Sequence, residues 1–185
     1  MMQNLHVPGR WYLGSPMDQA GRSLEWVFSR GRPVDVEGPV RVSFNEFAER
    51  GRPVDYSHLS MEFVPVVHAR VAELFSRLAP SDVQLVPVQI GDYREQFYIV
   101  NVIRELKCID DERSDEVRYY TADCEEIFRD RVGQYRSVIG MRIDPTKVGE
   151  AKVFRTWGWV ALVVSDEIKS ALEAIQTEGV KFQEV

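Results

Sequence analysis

Apolar positions between Phe63 and Ile103 fall into three successive patterns. Val66 and Val67 lead into Val71, Leu74, Phe75 and Leu78, spaced i, i+3, i+4, i+7, which predicts a helix over about Val67 to Leu78 with one buried face. Pro80 stops it. Val83, Leu85, Val86, Val88 and Ile90 then read as a strand, Gly91-Asp92 as a turn, and Phe97 to Ile103 as a second strand dense in β-branched and aromatic residues. Both strands are nearly continuous in apolar residues, so this hairpin should be central.

The pattern returns 97 positions later without a gap. Val163-Val164 match Val66-Val67; Ile168, Ala171, Leu172 and Ile175 match the helical stripe; Val180, Phe182 and Val185 match Val83, Leu85 and Val88. Two such helix-strand units should pack side by side, each covering a neighbouring part of one sheet, although any amphipathic helix followed by a strand shows this spacing. Ser165 is placed to cap the second helix, about Asp166 to Gln176, with Asp166 and Glu167 in the first turn where the helix dipole favours acids. Gly179 follows where a left-handed C-cap is common.

Upstream, Val40, Val42 and Phe44 alternate with Arg41 and Ser43 as in a half-buried strand, and Gly, Pro and Arg are frequent around them. An identical hexapeptide occurs twice, Arg30-Gly31-Arg32-Pro33-Val34-Asp35 and Arg50-Gly51-Arg52-Pro53-Val54-Asp55. Arg30, Arg32, Arg50 and Arg52 could form an anion or partner site, but two similar solvated turns explain the repeat more simply. Downstream, Ser137 to Ile143, Val153-Phe154 and Trp157 to Val164 read as strands, Asp144-Pro145 as a turn, and Gly158 as a bulge or close backbone approach. The fold class expected is α+β: a mostly antiparallel sheet carrying two equivalent helices, with a β-rich, loop-rich lobe over residues 1–60 and a core over 61–185, readable also as one continuous domain.

Pro65-Val66-Val67, the helix that follows, Val83-Gln84-Leu85-Val86-Pro87-Val88, Tyr98-Ile99-Val100-Asn101-Val102 and Cys108-Ile109-Asp110-Asp111 with Ser114 together resemble an immunity-protein family found largely in myxobacteria, immunity protein family eleven. Val164-Ser165-Asp166-Glu167-Ile168 and Gly179-Val180-Lys181-Phe182 are similar to that family's ending. The resemblance covers about the last two thirds of the chain and departs at His68, where a capping Ser like Ser165 would be expected. It implies a cytoplasmic protein that binds and silences a toxin delivered between neighbouring bacterial cells.

Composition changes this picture little. Hydrophobic residues at 44% and charged residues at 28% suit an ordinary soluble domain able to bury a core without staples. The longest apolar run, Trp157 to Val164, falls far below the roughly 18 residues of a spanning helix, and the start lacks the basic and apolar regions of a signal peptide. Cys108 and Cys124 read as reduced thiols, with a disulfide between them left open, and His6, His58 and His68 as surface or capping residues. The net charge of −6 and the absence of a Lys/Arg run disfavour nucleic-acid binding.

Charge is decisive in one place. Residues 110 to 131 hold nine acids and four arginines, a net of −5 against −6 for the whole chain. Asp110, Asp111, Glu112, Asp115, Glu116, Asp123, Glu125 and Glu126, with Tyr119 and Tyr120, are therefore the candidate partner-binding residues, on loops and short elements beyond the sheet end. They would meet the cognate toxin, whose active site would be basic if it acts on an anionic substrate. The alternative is a metal-dependent hydrolase using the carboxylates at 110–116, since hard cations take several oxygen ligands. The stretch lacks EF-hand spacing, and signatures for phosphate loops, dinucleotides, nucleophile elbows and zincins are missing from the sequence, so no cofactor is expected and an enzyme ranks behind a binder. Oligomeric state is left open.

Overall fold

The computed structural model describes residues 1–45, 51–59 and 63–185. In chain order β1 (Met2–Asn4), β2 (Leu13–Met17), β3 (Val40–Phe44), β4 (Tyr56–His58) and β5 (Pro65–His68) precede α1 (Ala69–Leu78). Then come β6 (Val83–Ile90), β7 (Phe97–Val102), β8 (Glu105–Leu106), β9 (Glu116–Tyr119), β10 (Tyr135–Ile139), β11 (Val153–Thr156) and β12 (Leu162–Val164), followed by α2 (Asp166–Ala174) and β13 (Val180–Phe182).

The hairpin of β6 and β7 forms the middle of a curled, six-stranded half-barrel of order β2-β3-β6-β7-β5-β4, in which β3–β6 is the parallel pair and the rest are antiparallel. Side chains alternate across it as the pleat requires. Val100 and Val102 of β7 face α1, while Phe97 and Ile99 join Val86, Val88 and Ile90 in a second core on the other face. That second core is filled from the N-terminal stretch. Trp11 lies at its centre, fully buried, with its ring 5.0 Å from Phe97 and 5.3 Å from Tyr93, and its indole N–H donates to Ser57 Oγ at 2.8 Å. Strands from residues 1–60 and from 61–185 thus share one sheet and one core.

Both helices follow their stripes. Val71, Phe75, Ile168 and Leu172 meet in one core with Val100, Val102, Val153 and Leu162. His68 does what Ser165 does 97 positions later: its Nδ1 accepts from the Arg70 N–H at 3.3 Å, so an imidazole caps α1 where the hydroxyl caps α2. The second unit differs from expectation at its flanks. Its strands do not extend the six-stranded sheet; β12 lies in a short sheet of order β12-β11-β8, and β13 pairs with β1. The left-handed residue after α2 is Gln176 (φ 52) rather than Gly179. Gln176 N–H bonds Glu173 O and Thr177 N–H bonds Leu172 O, the Schellman pattern. Gly179 is needed three residues later, where a Cβ would strike the Tyr56 carbonyl. Gly158 lies in the turn between β11 and β12, so the strand expected over 157–164 begins only at Leu162.

The repeated hexapeptide serves two separate structural tasks. Gln84 and Asn101, cross-strand neighbours in the sheet, hold the first copy: Gln84 exchanges two hydrogen bonds with the Val34 backbone and Asn101 donates to Arg32 O at 3.0 Å. In the second copy Arg52 pairs with Glu178, while Asp55 accepts from Arg70 Nε at 2.7 Å and from the Glu178 N–H at 2.8 Å. Arg70 also reaches Ile175 O at 3.0 Å, so α1, the end of α2 and this turn are tied together. Arg30 donates to Trp26 O, and Arg50 lies outside the described residues. No described helix is long and apolar enough to cross a membrane.

Candidate partner-binding site

The acidic stretch belongs to a hairpin packed on a third core of the protein through Val117, Tyr135 and Val138. At its base Asp110 N–H bonds Arg142 O and Asp144 N–H bonds Cys108 O, both at 2.8 Å, around a bridge between Ile109 and Ile143. Above this, β9 pairs antiparallel with β10, Tyr119 opposite Tyr135 and Val117 opposite Val138, with a bulge between Tyr135 and Ser137. Cys108, Ile109, Tyr135, Met141, Phe154 and Val163 form the core beneath. The expected strand over 137–143 is therefore β10 shifted to Tyr135–Ile139, because Gly140 (φ 55) ends it.

Several acids are engaged by the hairpin itself. Asp110 accepts from the N–H groups of Glu112 and Arg113 and closes an Asx-type turn that Ser114 reinforces through its hydroxyl to Asp110 O at 2.6 Å. Asp111 is held between two phenols: Tyr135 OH donates to Oδ1 at 2.9 Å and Tyr119 OH to Oδ2, with the two rings 4.8 Å apart. Burial first, then the neighbouring Tyr119 and Asp111, push the Tyr135 phenol well above its ordinary value. Tyr119 is raised by burial and then by Asp111, so both phenols stay protonated and donating. Glu116 pairs with Arg118, and Glu126 sits 3.9 Å from Arg129. The Thr121 hydroxyl donates to Asp123 and holds its carboxyl below the usual range.

Among the described residues, the side chains of Glu112, Asp115 and Glu125 take no hydrogen-bond or ion-pair partner, and all three are exposed. Tyr119 and Tyr120 are split between different partners. Tyr120 stacks on Phe128 at 5.2 Å, with the Arg131 guanidinium 4.8 Å from its ring centre. The structure thus brings Asp111 and Tyr119 together with Tyr135, which the sequence did not single out, and leaves the remaining acids spread along the hairpin.

That arrangement does not supply a metal centre. Among the described residues no three His, Cys, Asp or Glu side chains gather in a way that could hold a metal ion. Asp110 is committed to its turn and Asp111 to two phenols. Both thiols are free; Cys108 is fully buried and burial pushes it up to about 11.

A concave feature lies elsewhere, a cavity of about 460 Å³ between β1, β2 and β4, with exposed Phe63 and Val160 at its mouth. Arg10 lines it but is spent on structure, donating to Trp11 O, Leu5 O, Asn4 Oδ1 and Ser57 Oγ. His58, beside it, is partly buried and is not a cap; it is bonded through Nε2 to Tyr56 OH at 2.7 Å.

No curated protein matches the chain. A family model described as Immunity protein family (Imm11) matches residues 3–185, reaching through the N-terminal strands as well as the last two thirds that carry the motifs, and the chain belongs to that immunity protein family.

Proposed function

We propose that the protein neutralises a cognate bacterial toxin in the cytoplasm by stoichiometric binding, and that the hairpin over 110–131 meets the toxin. Membership of an immunity family, typically non-enzymatic, carries the first part. The second part rests on charge. A net −5 concentrated on residues 110–131 would create a local field that steers a basic partner and suppresses wrong ones. A toxin acting on nucleic acid or another anionic substrate would carry a basic active site, and Glu112, Asp115 and Glu125, which have no internal partner, would stand in for the substrate's anionic groups. Asp111 has a different role in this reading, fixing the hairpin's base through its two phenols.

The experiment is co-expression with the toxin domain encoded beside this chain. Protected growth together with a one-to-one complex on size-exclusion chromatography with light scattering supports stoichiometric neutralisation. Protection without any complex would instead require the protein to act on the toxin's product or target.

A further inference from the structure

The loop joining β9 to β10 carries more than charge. Ile127 is 74% exposed, the highest value among the large apolar side chains described, and Val132, just beyond, is 46% exposed. Both belong to an excursion around a 3-10 turn, Glu126–Arg131, in which no side chain is fully buried. A single exposed isoleucine is ordinary on a protein surface. This one sits on a loop that is firmly built without leaning on the rest of the protein. Its ends are joined by Tyr120 N–H to Gln134 O and Gly133 N–H to Tyr120 O, both at 2.9 Å. Inside, Phe128 stacks on Tyr120, Arg131 covers Tyr120, and Phe128 N–H bonds Glu125 O at 2.9 Å. Such self-packed loops with joined ends are frequently functional, and a preformed loop loses little conformational freedom on docking.

The charges around the apolar tip say what it fits. Asp123, Glu125, Glu126 and Asp130 surround it in sequence, against Arg129, which sits near Glu126, and Arg131, which is committed to Tyr120. We propose that Ile127, with Val132, is the apolar anchor that enters a pocket on the toxin rimmed by basic side chains. This deepens the toxin-neutralising reading and rests on it. The division of labour is that of other interfaces: a dry apolar centre supplies residence time, and a charged rim supplies encounter rate. The two tyrosines then act beneath the anchor, Tyr120 supporting the loop and Tyr119 the hairpin.

The test uses the full chain and the purified, catalytically inactive toxin domain encoded beside it, with binding followed by surface-bound kinetics. Ile127→Ala should weaken the complex about ten- to hundredfold, the scale of burying one isoleucine side chain, mostly through faster dissociation. Ile127→Asp should weaken it further, while both variants keep the wild-type melting temperature because the side chain is exposed. Val160→Asp, at the mouth of the cavity, should leave binding unchanged. Equal affinity of wild type and Ile127→Asp would remove the loop as anchor while leaving toxin neutralisation intact. Loss of binding in Val160→Asp but not in Ile127→Asp would move the interface to the cavity. Failure of the wild-type chain to bind this toxin domain would overturn the underlying reading and the anchor with it.

Discussion

His58 gives the protein a defined acid sensitivity. Its ring is partly buried and hydrogen-bonded to Tyr56, and burial first, then the positive charges of Arg10 and Arg155, lower its pKa from 6.5 to about 4. The unfolded chain binds a proton that the folded chain refuses, so stability is lost as pH falls below 6.5 and the loss is nearly complete around the folded value. Linkage of the two values gives a loss of about 2 kcal/mol by pH 5 and about 3 kcal/mol by pH 4 from this one residue. Against a total stability of about 5–15 kcal/mol, that is a large share. Asp55 and Glu178, whose pKa values are held below 3.8 and 4.5, begin to cost stability only at lower pH, whereas the Met1 amino group, lowered from 8.0 chiefly by burial, also costs stability below pH 8; the comparison from pH 7 to pH 5 with a variant that lacks the imidazole therefore isolates the histidine. Urea denaturation of wild type and His58→Gln at both pH values measures it, because the glutamine amide can still accept from Tyr56 and does not titrate. Wild type should lose about 2 kcal/mol more than the variant over this interval. Equal losses in the two proteins would show that His58 protonates in the folded state without penalty.

Phe75→Ala and Leu172→Ala should each cost about 2–5 kcal/mol in chemical denaturation, since both side chains are buried in the core between the helices and the sheet; unchanged midpoints at both would mean that the stripes do not share a core. Asp111→Ala strands the buried Tyr135 hydroxyl and should destabilise by about 1–3 kcal/mol. Tyr119→Phe should cost less, because Tyr119 is partly exposed and Asp111 keeps its other phenol, and the reverse order would contradict the clasp. Gln176→Gly should raise stability by about 1 kcal/mol, visible as a higher melting temperature, by relieving the left-handed conformation that glutamine holds after α2.

What the sequence made legible was local periodicity. The stripes at Val71–Leu78 and Ile168–Ile175, the β6–β7 hairpin and the alternation over Val40–Phe44 each declare their own buried face, and each was found at its place. What stayed hidden depends on contacts distant along the chain. Nothing near Val40 says that β3 runs parallel to β6, more than 40 positions later, or that Trp11 fills the core beneath Phe97. His58 looked like a surface residue because its burial comes from neighbouring elements rather than from a pattern of its own. At the candidate site, charge density marked the segment 110–131 as loops and short elements but not that it pairs with β10, and Asp111 meets Tyr135 across 24 positions and a strand register, which spacing does not encode. Ile127 lacked any periodic signal, and only its exposure in the folded chain marks it.

The proposed meeting of toxin and acidic hairpin is tested most directly by reversing charge without breaking the contacts that hold the turn and the clasp. Glu112→Lys, Glu125→Lys and Glu126→Lys in one chain leave Asp110 and Asp111 to hold the turn and the clasp; Glu126 gives up no more than its exposed contact with Arg129. Association with the adjacent-gene toxin domain is then followed from about 0.01 M to about 0.1 M salt, over which the Debye length falls from about 30 Å to about 10 Å. The account predicts that the wild-type chain associates fastest at low salt, and that the triple variant associates more slowly and loses or inverts this dependence. A folded triple variant with unchanged association rates, unchanged salt dependence and full protection would contradict it.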